Sequence, residues 1–352
     1  MEIPELVIAG PDSIVVSLPY IIGFTPSDSL VVMWLDAGCV SLTMRLDLPP
    51  HGADHEPWLD AVMAHERPHD EVIICVVPAA DQHARDESGE LRAQQLVTAL
   101  LDRLRSTHCR VRDALLVIDR RWWSFLCEQP ECCSAMGTEV DPVTADAVAA
   151  RFALAGVARL PDRDSVVAIC APDNTRQAEV LPLVRQARRA MVARMAGATD
   201  AARDLEDWRD DAIALVRGVL LTSSPQSVGR DAEVLVSLGD VRVRDTVLWE
   251  VAHCSDHDPR QAFERAAGLL RGAPAGVVAP IGTVTALLGW LIGDGVRAVA
   301  ALDRVHDEDP EYALAQLLGR SIAAGLAPTS WREMMSELTR ESCRGSRALT
   351  AP

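Results

Sequence analysis

Side chains able to hold a metal or carry redox chemistry gather most densely in "RRWWSFLCEQPECCSAMG" (residues 120–137), where Cys127, Cys132 and Cys133 follow the paired Trp122 and Trp123. A structural zinc needs four sulfur or nitrogen donors, usually with one pair two to four residues apart. The spacing here is Cys-x4-Cys-Cys, and adjacent cysteines diverge as ligands of one ion. The fourth donor would come from across the hairpin, with His108 or Cys109 nearest in sequence. The same thiols could form a disulfide or redox pair, or pack as reduced, structural sulfur beneath a hairpin. All three readings stand at this level; no cofactor is the first expectation and a structural zinc on Cys127, Cys132, Cys133 and His108 the alternative.

Histidines recur four apart in "HGADH" (51–55) and "HERPH" (65–69). On a helix that spacing would put both rings on one face, but Pro49, Pro50, Pro57 and Pro68 break any helix there, so solvated loops are expected. "HCSDHD" offers His253, Cys254, His257 and Asp258 at a helix end. Paired acids such as Asp210 and Asp211, or Asp307 to Asp309, read as solvated turns and helix surfaces, from which no general acid–base pair can be chosen. Ser27, Asp28 and Ser29 in "GFTPSDSLVV" read as turn and cap chemistry ahead of a strand.

The 352 residues carry a net charge of −17 and, although 24% are charged, not one is lysine. The acidity disfavours a nucleic-acid backbone or an anionic membrane as partner. The missing lysine excludes a Walker-type phosphate loop, a kinase phosphate lysine and Schiff-base chemistry. Nine cysteines are an odd number for a disulfide framework. Several, such as Cys75 and Cys170, lie in apolar runs and read as buried thiols of a reducing compartment. "MEIPELVIAGPD" lacks the basic start of an export signal. Residues 273–293 are uncharged over a span's length, but Pro274, Pro280 and glycines break the first half, so a buried helix is expected there. A cytoplasmic protein is expected.

The elements that would position these residues change character along the chain. A short buried helix over 13–24, capped by Asp12 or Ser13, precedes strands at 29–36 and 39–48 joined through a tight turn. A strand at 71–78, a helix over 88–107, a strand at 111–119 and the tryptophan strand complete an α/β domain with a layered, mixed sheet. Strand alternation sets Trp122, Ser124 and Leu126 on one face, and Trp123, Phe125 and Cys127 on the other. From about residue 141 the pattern is helical, giving an all-α domain after an α/β domain (1–170), a linker at 171–177 and the helical domain at 178–345. Within it, 283–325 reads as a helix, a "GDG" turn, a second helix, and a third that starts at Pro310. The turn, Ala298 five residues after Gly293, and Pro310 after the second helix make a tetratricopeptide-like hairpin. Ala298 and Ala301 would let the helices approach closely.

"LPYIIGFTPSDSLVV" (18–32), "RLDLP" (45–49), "RRWWSFLCEQPECCSAMG" and "GWLIGDGVRAVAALDRVHDEDPEYALAQLL" (289–318) together resemble the actinobacterial proteins that carry domain of unknown function 4192. The chain departs from that pattern at Ser134, where the family has proline, and at Arg120 or Arg121, where it has glycine. The resemblance implies a cytoplasmic actinobacterial protein and no particular activity. The expected function is non-catalytic binding or regulation, through a protein partner or homo-oligomer engaged by the helical domain. The alternative is an enzyme or small-ligand binder with a site between the domains, one version of which holds a Cys/His-bound metal.

Overall fold

The computed structural model describes residues 10–50, 52–65, 71–79, 82–85, 89–107, 109–127, 129, 133–222, 227–253 and 257–345. The chain divides into two compact units, Met1–Ser165 and Val166–Pro352, each described by itself below.

The first unit is built on a mixed sheet in the order β2-β1-β3-β4-β5-β6. β1 (Ser29–Asp36) and β2 (Cys39–Asp47) form the expected antiparallel hairpin. Its turn needs left-handed backbone at Ala37 (φ 49°) and Gly38 (φ 84°), as two-residue hairpin turns do. β3 (Glu71–Val77) pairs antiparallel with β1 and parallel with β4 (Arg110–Ile118), the crossover running through α3 (Gln94–Ser106). The expected helix over 88–107 starts late because Ala93 sits at φ 61°, outside helical space. β5 (Arg121–Ser124) and the two-residue β6 (Thr138–Glu139) close the sheet.

β1, β3 and β4 are apolar on both faces because both are covered. On one face Leu30, Val32, Trp34, Ile74 and Leu116 pack with Leu59 and Val62 of α2 (Glu56–Met63) and the leucines of α3. On the other, Val31, Met33, Ile73, Cys75 and Leu115 are equally buried. α1 (Pro11–Ile21) packs on β4 and on α4 (Pro142–Leu154). Gly10, not Asp12, caps α1; Ser13 closes its first turn by accepting the Gly10 N–H at 3.1 Å and donating to the Gly10 carbonyl at 2.7 Å.

α5 (Arg163–Cys170) crosses the division between the units, and the second unit is helical throughout its described residues. It comprises α6 (Asn174–Ala196), α7 (Ala201–Leu220), α8 (Val228–Ser237), α9 (Val241–His253), α10 (Pro259–Gly272), α11 (Val278–Leu291), α12 (Gly295–Glu308), α13 (Ala313–Ala323), α14 (Pro328–Ser336) and α15 (Arg340–Arg344). The sequence join at 171–177 holds the start of α6. Asp173, Asp200, Asp258 and Asp294 cap α6, α7, α10 and α12 through side-chain oxygens that accept backbone N–H bonds. Part of the acidic surplus therefore serves helix starts, where a carboxylate meets unsatisfied donors and the positive end of the dipole.

α11 is the buried helix expected within 273–293; every residue from Val278 to Leu291 except Pro280 is buried. No helix among the described residues is long and apolar enough to cross a membrane. α11 and α12 pack closely because their contact positions are small. A Cβ on Gly289 would lie 3.1 Å from the Ala298 nitrogen, and one on Gly282 would collide with Val305. Ala298 and Ala301 are both fully buried, as their small size suggests. The third helix starts at Ala313 rather than at Pro310, which stands in the preceding turn.

Replacing Gly289 with valine should separate α11 from α12 and cost about 1–3 kcal/mol by overpacking. Urea unfolding measures this; an unchanged midpoint and slope would show that the contact has slack.

Candidate functional site

The tryptophan–cysteine segment is an arm folded back on itself. β5 follows β4 through a turn at Asp119 (φ 53°), with Ile118 opposite Arg121 and Val117 opposite Trp122. The expected alternation holds at the tryptophans: Trp123 and Phe125 pack against the core beneath α2 and α3. Trp122 turns to α1 instead, where its indole N–H donates to Asp12 Oδ1 at 2.7 Å. Asp12 Oδ2 accepts the Asp141 N–H at 3.2 Å, and Asp141 caps α4 through the amides of Val143 and Thr144. One carboxylate thus ties the start of α1 to β5 and to the start of α4.

Trp123 shapes the return of the chain. Its indole N–H donates to the Ala135 carbonyl at 3.1 Å, and Gly137 (φ 75°) lies so close under the ring that a Cβ there would be 2.5 Å from Cζ2. Ser134 makes a tight turn: its hydroxyl accepts the Met136 N–H at 3.2 Å and its carbonyl the Gly137 N–H at 2.9 Å.

Among the proposed ligands, Cys127 and Cys133 are half-buried in this arm, while Cys132 and His108 lie outside the described residues. Cys109 is buried in the core of the first unit. Among the described residues no three His, Cys, Asp or Glu side chains converge as a metal site. The buried thiols elsewhere are held protonated: burial pushes Cys75 up, with the Asp113 charge adding, and pushes Cys170 up to about 11 against the opposing charges of Arg304 and Arg297. Both side chains are fully buried and pack as small apolar groups.

The histidine groups disperse. His51, His69 and Cys254 lie outside the described residues. His55 precedes α2, and His65 meets the edge of Trp34 with centroids 6.1 Å apart. His253 stacks on Trp249 at 3.9 Å, and Asp258 caps α10. Asp210 receives a bidentate Arg344, and Asp211 pairs with Arg194 at 3.0 Å.

Two recesses of the helical unit are formed by described residues. The smaller, approximately 260 Å³, is bordered by Arg188, Trp208, Asp240 and Gly276. Its polar groups are used within the chain: Arg188 donates to the Gly276 carbonyl at 2.7 Å, and Asp240 takes the Arg209 fork together with the amides of Arg242 and Val243. The larger, approximately 480 Å³, is a groove between α12 and α13. Leu302, Ala315 and Gly319 are among its apolar lining; Asp303, His306, Asp309, Gln316 and Arg320 are its polar groups. Gln316 fixes the Pro310 turn by donating to its carbonyl at 2.9 Å. Asp303 and Arg320 are exposed, and neither takes part in an ion pair among the described residues. This groove can therefore offer opposite charges beside an apolar surface. Its residues fall inside the 283–325 hairpin signal, but no spacing marked Asp303, His306, Gln316 and Arg320 individually.

The family model described as "Domain of unknown function (DUF4192)" matches residues 11–329. The chain belongs to the DUF4192 family. No curated protein and no solved structure matches it. The DUF4192 match takes in the sheet, the tryptophan arm and the α12–α13 groove; α15 and most of α14 follow it.

Two outcomes follow from the arm. Gly137→Ala should force Trp123 off its seat and cost at least the ~1–2 kcal/mol of a left-handed non-glycine residue; the Trp123 indole resonance and thermal unfolding report both, and an unmoved resonance would contradict the packing. The Asp141 carboxyl is held below the usual range by the Thr144 hydroxyl, with the Thr144 and Val143 amides adding. A carboxyl with a depressed folded pKa stabilises above its unfolded value and loses that contribution as pH falls through the folded one. The Thr144 amide should therefore titrate with a midpoint below the roughly 3.9 of a free aspartate, and Asp141→Asn should abolish the titration. A midpoint at or above the free value would refute the cap's role.

Proposed function

We propose that this protein is a non-catalytic binding protein of the actinobacterial cytoplasm, and that its helical unit holds a segment of a protein partner in the α12–α13 groove. The groove itself carries the reading: an apolar surface with Asp303 and Arg320 exposed beside it and left without ionic partners among the described residues. Protein recognition commonly joins such an apolar centre to a polar rim. We read α11 and α12 as a tetratricopeptide-like hairpin, with α13 supplying the second wall. Asp303, Asp307, Asp309 and Glu311 make the groove's surroundings acidic, in keeping with the chain's net charge of −17. The expected occupant carries a basic side chain for Asp303 and a small apolar one for the surface at Ala315 and Gly319.

A photo-crosslinking residue at position 316 should yield a discrete protein adduct in cells of the native host, absent when the same residue stands at exposed position 203 of α7. Gly319 has room for a side chain, since its nearest neighbour beyond a Cβ is Leu302 Cδ1 at 3.8 Å. Gly319→Gln should fill the groove without unfolding α13 and reduce the adduct at least tenfold, as should Asp303→Arg. An adduct indifferent to both substitutions would rule the groove out.

A further inference from the structure

β2 is the outermost strand on its side of the sheet, and β1 is its sole ladder neighbour among the described residues. Two contacts fix which of its peptide groups face outward. The Leu48 N–H reaches inward to the Asp28 carbonyl at 3.0 Å. By the alternation of an antiparallel ladder, Leu46, Met44 and Leu42 also turn their peptide groups toward β1. The Asp47 carbonyl instead accepts the Trp58 indole N–H at 2.7 Å. Thr43, Arg45 and Asp47 therefore turn theirs away from β1. Trp58 occupies the carbonyl of Asp47, which leaves the N–H and C=O of Thr43 and Arg45 as an open ladder among the described residues.

Natural edges are blunted by proline, lysine, bulges or unpaired charge. Residues 42–47 contain neither proline nor lysine, and Arg45 neutralises Asp47 at 2.6 Å. The irregular register against β1 falls before Leu42, with Ser41 the extra residue. Leu42, Met44 and Leu46, on the core face, stay half-buried.

We propose that β2 pairs antiparallel with β2 of a second copy of this chain, about a two-fold axis through Met44, to make one continuous sheet. That axis sets Thr43 of one copy against Arg45 of the other, so the open peptide groups satisfy one another. Leu42 meets Leu46, Met44 meets itself, and no like charges face each other. An axis through Arg45 would oppose two guanidinium groups, and one through Thr43 would run Arg45 into the irregular pairing at Ser41. The apolar pattern at 42, 44 and 46 is symmetric about its centre, which favours a second copy over a foreign strand.

Sedimentation of the full chain tests this. The wild type should sediment as a dimer at micromolar concentration. Thr43→Pro, which removes an outward N–H and no bond to β1, should sediment as a folded monomer. A wild type that is monomeric throughout, as expected if the edge awaits a different protein, or a Thr43→Pro variant that remains dimeric, overturns the proposal. Met44→Cys gives a second readout that does not depend on the proline variant folding. Facing residues at a non-hydrogen-bonded pair have Cα atoms about 4.5 Å apart, within disulfide reach. Mild oxidation should therefore link the Met44→Cys chains into a covalent dimer that the wild type does not form, and failure to link overturns the register.

Discussion

An uncharged helix buried on every side must be wrapped by its own chain, and α11 imposes that requirement on the helical unit. Its neighbours α8, α9, α10, α12, α13 and α14 all touch it. Two features make the wrapping possible. Thr283 and Thr285, both buried, return their hydroxyls to the carbonyls of Ala279 and Ile281 at 2.8 Å, so neither hydroxyl is stranded. Gly282 and Gly289 lower the helix surface where Val305 and Ala298 arrive. The same composition imitates a membrane span, yet 14 residues extend only about 21 Å, short of the roughly 30 Å of a bilayer core. The apolar surface that lipid would otherwise cover is covered by six helices.

The sheet unit answers a similar demand differently. Its central strands are buried on both faces, so α2 and α3 must cover one and α1 shares the other. The ends of these helices are held by single polar groups rather than by more apolar area. Asp12 takes the Trp122 indole and the Asp141 amide; Asp141 in turn starts α4. An acidic residue at the second position of a helix also suits the dipole. The arm that follows Trp122 is therefore anchored at its root by α1 and at its tip by Trp123 against Gly137.

Much of this architecture was legible because it rests on local pattern. A hairpin turn signal marked β1 and β2, apolar β-rich runs marked β3 and β4, alternation marked the tryptophan strand, and uncharged composition marked α11 as buried. What the pattern missed depends on partners far away in the chain. Asp12 looked like a cap for its own helix, but its indole partner is 110 residues on. Asp231 and Glu250, each 3% exposed, were invisible because their arginines come from other helices: Arg176 from α6, and Arg340 from α15. The delayed start of α3 reflects one left-handed residue, Ala93, that no glycine announces. The helical hairpin signal pointed to the right segment for the α12–α13 groove. It could not show that α13 begins after the Pro310 turn, leaving room for Gln316 to reach back.

Arginine alone supplies the lysine-like charge in this chain, and its geometry explains how the helical unit uses it. A planar fork engages two acceptors at once, where an ammonium offers a point charge. Arg209 holds Asp240 with two nitrogens and Glu206 with a third, joining α7 to the turn after α8; Arg344 forks onto Asp210, tying α15 to α7. Arg209 and Asp240 are both part-buried and Arg344 largely so, and the directional forks fix where these helix ends lie. Arg176 and Asp231 show the same priority under burial. Burial raises the Asp231 carboxyl above its ordinary value, and the Arg176 guanidinium opposes that shift. The pair sets position closely: the Arg176 stem lies where a Cβ on Gly272 would be, 2.9 Å from Cγ. The small residue, the arginine and the buried acid thus fix α6, α8 and α10 relative to one another, through one guanidinium nitrogen on Asp231 and a stem laid against Gly272.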